Sequence, residues 1–155
     1  MRINLSDVEV RDFEPLPAGR YIVKLTDYDQ TETKGREGAK LPGGTPMINW
    51  EFTVKSDAKS GDEKYAGRKL WMNTILHERT MAMVKGFLVA TGIYTEADLN
   101  SGDFEFEPDE ILEQADEMVA VVRQREYEGE TRNDVRRMLP ISSAEEVAGS
   151  SSMLP

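Results

Sequence analysis

Cysteine is absent and histidine occurs once, at His77. The first absence removes disulfides and thiolate metal sites. The second leaves any metal site to carboxylates alone, and no such spacing occurs in the chain. His77 sits in ILHERT with no nucleophile elbow anywhere, so it reads as a surface or helix-start residue rather than a general base. Long apolar runs are also missing. No stretch reaches the length of a membrane span and no signal peptide opens the chain, so a soluble, cytoplasmic protein is expected. With neither a metal constellation nor a catalytic dyad in view, an enzyme such as a nuclease is the weakest of the functional classes. No cofactor is expected.

Positive charge is missing from the most acidic stretch of the chain. Residues 93–117 hold ten acids and no Lys or Arg, in a chain of net charge -10. The remainder carries 19 acids against 19 bases and is neutral. An acidic total is therefore compatible with a local cationic groove, and the local field is what an anionic polymer meets. The acidic stretch reads as a solvated flank, with a short helix from Pro108 to Gln114 in which Pro108 takes the first helical position.

What is present is mostly strand pattern, in 155 residues that suit one domain. Residues 1–18 are an extended lead-in ending in Pro-x-Pro, with Phe13 and Leu16 as anchors against the body. A first strand covers Arg20 to Asp29, with Tyr21, Val23 and Leu25 on one face. Residues 30–46 are a loop rich in Gly and Pro that carries Lys34, Arg36 and Lys40. That loop is either a basic finger over a ligand or a long hairpin loop with ordinary solubilising charges. Met47 to Lys55 alternates Ile48, Trp50, Phe52 and Val54 against polar residues, which makes it the clearest strand and places Trp50 in the core.

Gly67 to Leu76 is a third strand. Leu70, Met72 and Thr74 face inward with Arg68, and Lys69, Trp71 and Asn73 face out. An outward Trp beside a base and an amide suits stacking on a nucleobase, unless the lead-in covers it. A helix follows over Glu78–Thr91, with Gly92 as its stop. Val119 to Pro140 is a hairpin around Glu128-Gly129. A two-residue turn sets Tyr127 opposite Glu130, Arg125 opposite Arg132 and Arg123 opposite Asp134. Arg123, Arg125, Tyr127, Arg132 and Arg136 then share one face, and Val122, Asn133, Val135 and Leu139 the other. Like charges directly opposite repel, so a hairpin that keeps Arg125 against Arg132 either meets an anion or is balanced by its neighbouring acids. Residues 141–155 are a small, polar, mobile tail.

Strand, strand, strand, helix, strand, strand is the order of an OB-fold, a five-stranded β-barrel with its helix between strands three and four, here over residues 19–140. Ligands of that fold lie on strands two and three between the loops joining strands one and two and strands four and five. Those places hold Lys69 and Trp71, the Lys34–Lys40 loop and the Arg123–Arg136 hairpin.

FEPLPAGRY at 13–21, Asn-x-x-Phe-x-Val at 49–54, GRKLW at 67–71 and REYEGETRNDV at 125–135 resemble a bacteriophage family over about residues 5–140. Its members are small proteins, single-stranded-DNA-binding-like or of unassigned function, encoded among replication and recombination genes. The resemblance implies a protein that coats single-stranded DNA. Its partners would be that DNA and phage or host replication and recombination proteins, with self-association left open. The tail departs from bacterial single-stranded-DNA-binding proteins in lacking an acidic run closed by Pro-Phe. The competing expectation is a protein-interaction adaptor or virion structural module on the same barrel.

Overall fold

The structure is a computed structural model that describes residues 15–35, 41–100, 102 and 104–143, with Tyr127 described by its backbone alone. Five strands form one antiparallel sheet: β1 (Gly19–Glu32), β2 (Pro46–Asp57), β3 (Lys69–Ile75), β4 (Met118–Tyr127) and β5 (Glu130–Pro140). Their spatial order is β3-β2-β1-β4-β5. Between β3 and β4 lie a 3-10 turn (Glu78–Thr80) and three short helices, α1 (Met81–Ala90), α2 (Glu96–Leu99) and α3 (Pro108–Gln114). No helix among the described residues is long and apolar enough to cross a membrane.

The alternation of β2 sets the core. Ile48, Trp50, Phe52 and Val54 are buried, as are Leu70, Met72 and Thr74 on β3. The ring of Phe87 on α1 lies 4.8 Å from that of Trp50, and the Trp50 indole N–H donates to Thr74 Oγ1 at 2.9 Å. The buried polar group is thereby satisfied, and Phe87 anchors α1, which packs chiefly against β5, over the rings of Trp50 and Phe52. His77 caps the 3-10 turn, its Nδ1 accepting from the Arg79 backbone N–H at 3.1 Å, as the sequence suggested for a helix start.

Three register shifts interrupt the pairing: one leaves Lys55 near the end of β2 without a partner, where Ile22↔Ser56 gives way to Val23↔Val54, and the other two re-aim side chains. At Thr26 the pairing passes from Leu25↔Phe52 to Asp27↔Glu51, so one residue of β1 has no partner. Parity then inverts, and Tyr28 turns inward with its ring 5.6 Å from Trp50. The Tyr28 hydroxyl donates to Asp109, which ties α3 to β1 and raises the phenol's pKa. At Arg136 the pairing passes from Val122↔Val135 to Val121↔Arg137. Arg136 and Arg137 are both exposed, and Met138 enters the core. Leu139 consequently does not share the face of Val135. It packs beside Val119 and Ile22 in a separate small cluster, because a bulge spends an extra residue on one side of the strand.

The hairpin turn is as expected, with Tyr127↔Glu130, Arg125↔Arg132 and Arg123↔Asp134 in register. Glu128 and Gly129 have φ of 51° and 82°, the doubly left-handed geometry whose twist suits flanking strands. α3 spans the residues expected of it, with Pro108 at its start. α2 was not expected. A capping box between Thr95 and Asp98 nucleates it, and those hydrogen bonds hold the Asp98 carboxyl below its ordinary pKa.

The lead-in is fastened to the hairpin by Leu16, whose side chain is buried. Asn133 Oδ1 accepts from the Leu16 N–H at 2.8 Å, and Asn133 Nδ2 donates to the Leu16 carbonyl at 2.9 Å. Gln124 Nε2 donates to the same carbonyl at 3.0 Å. One carboxamide thus satisfies both backbone groups of Leu16, as a neighbouring strand would. Tyr21 secures the next step by donating to the Pro17 carbonyl at 2.6 Å, and burial, with Asp57 and Tyr65 adding, pushes its phenol up to about 12. Asn133→Asp removes the donor and sets a carboxylate against the Leu16 carbonyl. It is expected to cost about 1–3 kcal/mol, read as a lower urea midpoint. Phe13, the other expected anchor, lies outside the described residues.

Candidate nucleic-acid interface

β3 and β5 stand at opposite ends of the strand order yet touch one another. A cleft of about 850 Å³ opens between the start of β3 and the start of β5. One wall is the continuous run Ala66 to Trp71, the other is Thr131, Arg132 and Asn133, and Pro15 closes one side. The described lining holds three cations, Arg68, Lys69 and Arg132, and no carboxylate. Trp71 is 55% exposed, which no other tryptophan or phenylalanine among the described residues matches.

Local chemistry explains these placements. Trp71 sits opposite Glu51 and Lys69 opposite Thr53 on the outer face of the sheet. Lys69 Nζ donates to Thr53 Oγ1 at 2.7 Å and lies 3.8 Å from Glu51 Oε2. Thr26 Oγ1 donates to Glu51 Oε2 at 3.0 Å, so Lys69 stands on an ordered polar row. Of the described residues of the lead-in, Pro15 stands at the cleft's edge and Leu16 is buried.

The repulsion expected between Arg125 and Arg132 is relieved within β5. Arg132 donates to Glu130 Oε2 at 3.0 Å, and Arg123 pairs with Asp134 at 2.7 Å. Both pairs are solvent-exposed, so each contributes little to stability and leaves its arginine ready to exchange partners. Arg125 is exposed opposite Arg132, and Arg136 is exposed at the bulge. Neither lines the cleft. The structure thus brings together Lys69 and Trp71 of β3 and Arg132 of β5, with Arg123 and Arg125 on β4 and Arg136 further along β5.

The loop between β1 and β2 is elsewhere. Its base is stitched by Thr33 and Thr45, with Thr33 N–H donating to the Thr45 carbonyl at 2.9 Å and Gly44 N–H to that of Thr33 at 2.9 Å. Glu32 pairs with Pro46, and Met47 with Ile75, so exposed Lys34 leaves the sheet at the Ile75 end of β3. By strand rise that end is about 20 Å from Lys69. Lys34 and the hairpin bracket Trp71 from opposite ends instead of meeting at one point. Arg36 and Lys40 lie outside the described residues, as does the Tyr127 side chain.

Arg68 is a member that sequence reasoning missed. Alternation assigned it to the core face, but regular pairing of β3 begins only at Lys69, and half-buried Arg68 stays at the mouth of the cleft. The doubled base in GRKLW was the available signal. Among the described residues no three His, Asp or Glu gather as a metal ion would require.

A family model described as "Protein of unknown function (DUF669)" matches residues 3–148. No curated protein matches the sequence.

Proposed function

Because the chain belongs to the DUF669 family, whose description assigns no activity, the function must be argued from the cleft, and we propose that it binds single-stranded DNA without strong sequence preference. The observation that carries this is a cleft lined by Arg68, Lys69 and Arg132 with no described carboxylate, beside a half-exposed Trp71. Cations take the phosphates while the indole offers a face to any base, the combination that sequence-tolerant single-strand binders use. Arg123, Arg125 and Arg136 continue the track along the hairpin, and Lys34 stands beyond its far end. In phage DNA replication or recombination such a protein would coat exposed strands.

An OB-fold barrel suits this reading. The strand order β3-β2-β1-β4-β5, contact between β3 and β5, and a helix placed between strands three and four all favour it. The test is fluorescence titration with oligo-dT at two salt concentrations. Binding should quench Trp71, since Trp50 is sealed in the core. If three to four phosphates are engaged, affinity should fall roughly tenfold or more for a fourfold rise in salt. Absence of quenching, or affinity indifferent to salt, would refute the proposal.

One observation favours a second reading, a protein-interaction adaptor. Met81 and Met83 on α1 are 46% and 47% exposed, beside an apolar cleft of about 540 Å³ that also takes in Met138 and Leu139 of β5. Methionine-rich surfaces accommodate varied partners. Size-exclusion chromatography with and without oligonucleotide separates the two: an adaptor elutes unchanged when DNA is added.

A further inference from the structure

Trp71 has two unlike borders. Toward the start of β3 it meets the cationic cleft. Toward β2 it faces a carboxylate, since Glu51 is its direct cross-strand partner. Asp27 of β1 stands opposite Glu51 in turn, so the row that carries the exposed indole is otherwise acidic. A carboxylate in that place repels phosphate and weakens a surface whose only task is to hold a strand. A role at the level of the base accounts for it.

Glu51 is held in one orientation by a relay of hydroxyls. Lys69 Nζ donates to Thr53 Oγ1 at 2.7 Å, Thr53 Oγ1 donates to Thr26 Oγ1 at 3.2 Å, and Thr26 Oγ1 donates to Glu51 Oε2 at 3.0 Å. Thr26 is the residue of β1 that the register shift leaves without a partner, and bulged residues re-aim side chains beside sites. The relay occupies Oε2, whereas Oε1 meets no donor among the described residues. The Glu51 side chain keeps 27% of its surface exposed, so that oxygen can be reached from solvent. One row further along, Asn49 faces Asn73, and Asn49 Oδ1 is buried with no hydrogen-bond partner among the described residues. The patch beside the indole is therefore short of donors.

Residues directly opposite one another on neighbouring strands have Cβ atoms about 4.5–5.5 Å apart. A base stacked on Trp71 thus brings an edge within reach of the Glu51 carboxylate. That carboxylate can only accept hydrogen bonds. It accepts one from the exocyclic amino group of cytosine, adenine or guanine, and it repels the carbonyl oxygen that thymine and uracil present in its place.

We propose that Glu51 reads the base stacked on Trp71 and favours one with an exocyclic amino group over thymine or uracil. Thr26 is the positioning residue that aims the carboxylate. The inference rests on the single-strand reading above and refines it: phosphates are held whatever the sequence, while the base at this one position is graded by the donors it offers.

The test compares the affinity of the full chain for oligo-dC and oligo-dU of equal length, by anisotropy at neutral pH. Uracil has the size and shape of cytosine but a carbonyl oxygen where cytosine carries its amino group. Oligo-dC should bind about fivefold more tightly, the value of one net hydrogen bond. An oligonucleotide of pyrimidinone, which is cytosine without the amino group, should lose that advantage. The variant E51Q should bring the ratio close to one, because a carboxamide accepts from one base and donates to the other. Loosening of Lys69 in that variant acts on both probes alike and leaves the ratio readable. E32Q removes the same charge at the far end of β1 and should keep the wild-type ratio. Equal binding of oligo-dC and oligo-dU to wild type overturns the inference and leaves the single-strand reading standing. A preference for oligo-dC that survives in E51Q overturns it too, by assigning the choice to another residue. If wild type binds neither oligonucleotide, the single-strand reading falls and takes the inference with it.

Discussion

Trp71→Ala is expected to weaken oligo-dT binding by about 1–3 kcal/mol, roughly five- to 150-fold, and to leave the melting temperature where it was. Both halves follow from position. The indole is 55% exposed on the outer face of β3, opposite Glu51, so its removal opens no cavity. Exposed substitutions of this kind stay within about 0.5 kcal/mol of neutral. Its value as a stacking surface is lost entirely, because no other tryptophan or phenylalanine is comparably exposed among the described residues. Anisotropy of a labelled oligonucleotide measures the effect without relying on the tryptophan that was removed. Undiminished affinity would take Trp71 out of the interface.

Trp50→Ala should do the reverse. Trp50 is fully buried, stacked near Phe87 at 4.8 Å and Tyr28 at 5.6 Å, with its N–H on Thr74. Truncation loses the transfer energy of a large ring and leaves a cavity that β2 and α1 cannot close, a cost of about 3–5 kcal/mol. That is a large share of the roughly 5–15 kcal/mol that holds a domain together. The melting temperature should drop by about 10 °C, at 2–4 °C per kcal/mol for a chain of this size. Trp50→Phe keeps most of the volume and should recover most of the loss, leaving only the Thr74 hydroxyl without its donor. Thermal melts followed by circular dichroism would decide. A drop of only a degree or two in Trp50→Ala would mean that α1 collapses onto β2, contrary to the packing described.

The two tryptophans also show what could be read from the residues. Trp50 lies in an uninterrupted run of alternating apolar positions, and nothing from Ile48 to Val54 disturbs the parity, so its burial followed directly. Trp71 was assigned to the outer face by the same rule, but whether anything covered it depended on where the lead-in goes, a tertiary question. Bulges were out of reach. Nothing in LTDY marks Thr26 as an extra residue, nor does RR single out Arg136, yet each inverts the facing of all that follows and so moved Tyr28 and Leu139. Arg68 was lost for a related reason, because alternation says nothing about where pairing starts. The hairpin register was legible because Glu128-Gly129 supports one tight turn, and the distance from Lys34 to Lys69 was not, since it depends on strand direction in the assembled sheet.

The Asn133 clasp has a practical corollary. The residue that borders the proposed DNA track is also the mooring of the chain's leading segment. Slack at that mooring would be felt in folding and in ligand capture together, and no assay of an Asn133 variant could separate the two. Substitutions meant to report on recognition alone belong on the opposite bank, at Lys69 and Trp71, where the side chains stand on a strand that the mooring does not hold.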